Sequence, residues 1–105
     1  MAAPVSRRRE IELAALLERF AVLVDGVGEP AFADLYRQHA ASLRAEPSPD
    51  DRRAIAEDVV ATLRVSPGSL ADRYLVDDAG QPDRVRSAEY VELVDAVRKR
   101  AKHLA

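Results

Sequence analysis

The chain has 105 residues, close to the commonest size of a single domain, and its 48% apolar content is ordinary for a globular fold. Sixteen Lys and Arg against eighteen Asp and Glu leave a formal charge of −2, which supplies no global attraction to nucleic acid or to an anionic membrane. The absence of Cys excludes disulfides, thiol catalysis and Cys-ligated zinc together, and no apolar run approaches the roughly 18 residues of a membrane span.

These bounds give the expectation of one domain over 1–105, cytoplasmic, with residues 1–5 frayed. Much of the apolar content is Ala, only five residues are aromatic and none is Trp, so the core must be thin and built from closely approaching helices. Arg is abundant and Lys occurs only twice, a bias that a GC-rich genome also produces, so Arg content alone says little about function.

At about 100° per residue, Leu13, Leu16, Leu17, Phe20, Leu23 and Val24 share one stripe, which predicts an amphipathic helix from Arg7 to Asp25, capped by Ser6 and ended at Gly26. The same helix carries Ile11, Ala15 and Val22 on the opposite side. A helix apolar on two sides is either central in its bundle or holds a second, intermolecular seam, so these three residues form a candidate partner surface, and a homodimer is expected. Arg7, Arg8 and Arg9 join that surface because cations are disfavoured at a helix start and must find acids elsewhere or a partner.

Pro30 opens a second helix, with Phe32, Leu35, Tyr36, His39 and Leu43 on one face. A lone His on an apolar face is read as a hydrogen-bonded core residue. The "SPDD" of 48–51 starts a third helix: Ser48 suits the N-cap, Pro49 the first helical position, and Asp50 and Asp51 complement the dipole. Ile55, Ala56, Val59, Val60 and Leu63 form its buried side. A fourth helix, from Arg84 or Ser87 onward, aligns Tyr90, Leu93, Val94, Val97, Ala101 and Leu104. Its acidic start and its basic end, Arg98 to His103, suit its own dipole. The predicted fold is an all-α bundle of four main helices with a short irregular segment before the last.

That segment begins "VSPGSLADRYLVDD" at Val65. Gly68 can take a positive φ, Ser69 can cap a short helix and Asp72 can return a bond as in a capping box, so Gly68, Ser69 and Asp72 read as a structural turn docking Leu70, Tyr74 and Leu75. A phosphate nest at the same turn is the competing reading. "VVATLRVSPGSLADRYL" is also similar to a helix-turn-helix unit spanning 59–75, which makes DNA binding the alternative function. Two features oppose it: Val60 and Arg64 stand where a small residue and a turn glycine belong, and Asp72, Asp77 and Asp78 would face phosphates.

The order "LAALLERF", "EPAFADLYRQHAASL", "TLRVSPGSLADRYLVDDAGQP" and "YVELVDAVRKRAKHL" resembles a family of small uncharacterised bacterial helical domains with a Gly-Ser-apolar-x-Asp turn before the final helix. This resemblance implies the fold and no activity.

"DDAGQPD" lacks the alternating ligands and terminal Glu of a calcium loop, and "GVGEP" lacks the strand and third Gly of a dinucleotide loop. Neither His has the partner spacing of a zinc site. With no catalytic, metal or cofactor motif to build on, the functional expectation is a small non-enzymatic interaction or regulatory module with a protein partner. No cofactor, no membrane and no nucleic acid is expected to be involved.

Overall fold

A computed structural model describes residues 5–64, 70 and 73–104, with side chains from Arg7 onward. It is all-α: α1 (Val5–Gly26), α2 (Pro30–Arg44), α3 (Pro49–Thr62) and α4 (Arg84–Leu104), with an irregular segment before α4. Among the described residues the only β-type pairing is an isolated bridge between Val76 and Pro82. No helix among them is long and apolar enough to cross a membrane.

Local chemistry sets most of the helix limits. The Ser48 hydroxyl accepts the Asp51 amide at 3.1 Å, with Pro49 in the first turn of α3. Helix α4 begins at Arg84 because the Asp83 carboxylate accepts the Arg86 amide at 3.0 Å. Ser87, the other candidate start, is used differently. Its hydroxyl accepts from the Leu75 amide at 2.9 Å and donates to the Leu75 carbonyl at 3.3 Å, tying the irregular segment to α4.

Helix α1 departs from expectation at both ends. It is helical from Val5, so Ser6 lies within the first turn instead of capping it. At its other end the left-handed residue is Gly28 (φ 81°), not Gly26. The Gly28 amide bonds Asp25 O at 3.0 Å and the Glu29 amide bonds Val24 O at 3.2 Å, the two bonds of a Schellman closure. Gly26 serves packing: a Cβ there would stand 2.7 Å from the Leu75 side chain, so its absence lets the irregular segment lie against α1.

Helix α2 ends at Arg44, and the chain leaves it through Glu46, whose φ of 56° is the only positive value at a non-glycine among the described residues. An L side chain is strained in that region. Glu46→Gly is therefore expected to stabilise the protein by about 0.5–1 kcal/mol, read as a higher melting temperature, after allowing for the extra freedom of Gly in the unfolded chain. A lower melting temperature would contradict this.

One buried cluster draws on all four helices and on Leu70 and Leu75. Helix α1 lies between α2 and α4, and α3 packs on α4 while touching α2 only sparsely. At the centre Phe20 stands between two tyrosines, 5.3 Å from the Tyr36 ring and 5.2 Å from the Tyr90 ring, both tilted. Each phenol finds a partner. The Thr62 hydroxyl donates to Val59 O at 2.7 Å, so Tyr36 donates to Thr62 at 2.7 Å, and Tyr90 donates to Leu70 O at 2.5 Å.

Burial pushes the Tyr36 phenol up to about 12; the bond to Thr62 works against this and the nearby Asp58 charge adds to it. Tyr90 is raised too, first by burial and then by its neighbour Tyr36. A phenol whose pKa is raised by folding stabilises the native state fully below its unfolded value, near 10, and loses that contribution as pH rises through its folded value. The chain should therefore lose about 2 kcal/mol between pH 10 and 12 through Tyr36. Alkaline melts of wild type and Tyr36→Phe would check this, since the variant should fall less steeply over that window. Parallel curves would be the contrary result.

Candidate functional site

The turn that the sequence nominates, Gly68, Ser69 and Asp72, lies outside the described residues. Its flanks are placed. Leu70 and Leu75 are buried, and the Leu70 carbonyl receives the Tyr90 hydroxyl. Tyr74, expected to dock beside them, is 65% exposed instead. Arg73 to Leu75 have no helical structure, and Arg73 pairs with Glu29 at 3.0 Å. Beyond them the Asp77 carboxylate accepts the amides of Ala79 and Gln81, each at 2.9 Å, around Gly80 (φ 79°), so this acid organises a solvent-facing turn. Among the described residues no group of three or more His, Cys, Asp or Glu could hold a metal ion.

His39 is hydrogen-bonded, as its lone position on an apolar face suggests. Its Nε2 lies 2.6 Å from Asp58 Oδ2, joining α2 to α3 where the two helices otherwise touch little. An open groove of about 640 Å³ runs beside it, lined by His39, Ser42, Pro47, Ser48, Asp51 and Ile55. The Ser48 hydroxyl is already engaged with the Asp51 amide, and no bond links Ser42 to the ring among the described residues. The His–Asp pair ties the two helices together, and among the described residues no hydroxyl is hydrogen-bonded to the imidazole.

The three N-terminal arginines divide. Arg7 turns inward: it donates to Leu43 O at 2.6 Å and Arg44 O at 2.8 Å, and pairs with Glu10 at 2.9 Å. A cation at the unfavourable end of α1 thus sits at the favourable end of α2, satisfying its orphan carbonyls. Arg98 does the same for α3, donating to Leu63 O at 2.9 Å. Arg8 and Arg9 stay exposed and form no ion pair among the described residues.

Glu10 was not among the residues singled out from the sequence, yet it is the only buried charged residue among the described ones. It receives Arg7 from its own helix and Arg52 of α3 at 3.3 Å. The available signal was its spacing, three and seven residues before Leu13 and Leu17 on the buried face.

The third side of α1, away from α2 and α4, carries Ile11 (41% exposed), Val22 (59%) and the exposed Ala15. Of the six residues nominated as a partner surface, these three and Arg8 and Arg9 are exposed, while Arg7 is turned inward. A groove of about 260 Å³ borders Ala15 and is lined also by Leu16, Glu12, Arg19 and Arg100. Arg100 bonds Glu12 at 2.7 Å and Arg19 approaches Glu89 at 3.7 Å, exposed pairs that join α1 and α4 along their antiparallel lengths.

No family model, curated protein or solved structure matches the chain.

Proposed function

We propose that the protein is a small non-enzymatic interaction module of the cytoplasm, and that its docking face is the outer side of α1. The observation that carries this reading is the two-sided helix. Helix α1 already buries Leu13, Leu17, Phe20 and Val24 against its neighbours and still presents Ile11, Ala15 and Val22 to solvent. Branched apolar side chains held on a rigid, central helix form a contact patch that loses little conformational freedom on binding.

Ile11→Asp/Val22→Asp tests it. Both side chains are exposed, so the double variant should keep its unfolding free energy to within about 0.5 kcal/mol per site. Its capture of whatever protein wild-type bait retains should fall at least tenfold, because each charge would have to be buried against an apolar contact. Undiminished capture would move the docking face elsewhere. A steep loss of duplex-DNA affinity with rising salt, shown by wild type, would replace this reading with the DNA-binding one.

A further inference from the structure

We infer that the occupant of this face is a second copy of the chain, docked antiparallel through α1; the inference rests on the reading above. The outer stripe, followed from end to end, is Arg8, Ile11, Ala15, Glu18, Val22 and Asp25. Its spacing alternates three and four residues, the repeat with which two helices pack along a shared seam. All six positions are exposed.

The charges choose the direction. A cation stands at the first position, anions at the fourth and sixth. A parallel pair would stack Arg8 on Arg8, Glu18 on Glu18 and Asp25 on Asp25, three like-charge contacts. The antiparallel pair places Arg8 against the second copy's Asp25, Ile11 against its Val22, and Ala15 against its Glu18, each contact occurring twice about a two-fold axis.

Arg8 has no ion pair within the described residues, so it is available to a partner. Asp25 is held by Arg37 at 2.5 Å, but its side chain remains 42% exposed and can accept a second cation. Ala15 leaves room for the stem of the facing Glu18, whose carboxylate is held by its own Arg44 at 2.5 Å. Antiparallel alignment also brings the positive end of each helix dipole to the negative end of the other. The apolar content of the stripe is small, which points to a dimer of micromolar strength.

The chain has no Cys, so single cysteines report contacts without background. Ile11→Cys and Val22→Cys are made separately, mixed at micromolar concentration and oxidised mildly. In the antiparallel register the mixture cross-links, whereas either variant alone does not, because two copies of position 11 stand about 16 Å apart at 1.5 Å per residue. In sedimentation equilibrium, wild type should show twice the 11.5 kDa monomer mass. Arg8→Asp and Asp25→Arg should each weaken association about tenfold, since the symmetric dimer loses the pair twice, and the double exchange should restore it. Cross-linking of one variant with itself, or failure of the exchange to restore, overturns the register. A monomer at every concentration overturns the dimer. If the monomer still captures a different protein, and Ile11→Asp/Val22→Asp loses it, the interaction reading survives; if no capture depends on these residues, both fall.

Discussion

Phe20→Ala is expected to destabilise the protein by about 3–5 kcal/mol, enough to unfold most of a marginal domain of this size at moderate temperature. The magnitude follows from position. Phe20 is fully buried on the central helix and touches both tyrosines, so its removal leaves a hole bordered by α1, α2 and α4 at once. Tyr36 and Tyr90 are restrained from collapsing into that space, because their hydroxyls are tied to Thr62 and to Leu70 O on other segments. A cavity whose walls cannot relax retains the full cost of lost contacts. Phe20→Leu keeps most of the volume and should cost about 1–2 kcal/mol. Urea unfolding of the two variants would measure the difference, and near-equal costs would show that the tyrosines do collapse inward.

The second large effect is expected at Glu10. Glu10→Ala should cost about 3–4 kcal/mol, because it strips one buried carboxylate from two guanidinium groups at once. Arg7 and Arg52 are each partly open to solvent, which allows them to rehydrate and keeps the cost from rising further. Arg7 is also the group that closes the carbonyl end of α2, so losing its anchor loosens that helix end as well. Glu10→Gln keeps the shape but removes the charge and leaves a single acceptor oxygen, so one of the two guanidinium groups meets an NH2 donor instead, and the cost should approach that of Glu10→Ala. In a double-mutant cycle Glu10→Ala and Arg52→Ala should be non-additive by about 1 kcal/mol or more. Full additivity would mean that α1 and α3 are not coupled through this carboxylate.

The four helices could be read from the sequence because each repeats apolar residues at the helical period over three or more turns, and because Pro30 and Pro49 mark starts through their fixed φ and missing N–H and Ser48 through its bond from the Asp51 amide. Such signals are local, and local geometry obeys them. The outer side of α1 was legible for the same reason: Ile11, Ala15 and Val22 fall together by angle alone, whatever surrounds them.

What the sequence could not decide were choices between residues that satisfy the same local rule. Gly26 and Gly28 can both end a helix; Gly28 takes the left-handed turn, closed by the Gly28 and Glu29 amides, while Gly26 gives Leu75 room to pack against α1. Asp83 and Ser87 can both cap α4; Ser87 is drawn away by the backbone of Leu75. Arg7 and Arg98 each serve the carbonyl end of a neighbouring helix, and Glu10 holds cations from α1 and α3. Except for Arg7 and Glu10, these partners are separated by tens of residues along the chain. Periodicity tells which face of a helix turns inward, but long side chains choose among carbonyls and carboxylates by distance in space, and that distance exists only once the helices have packed.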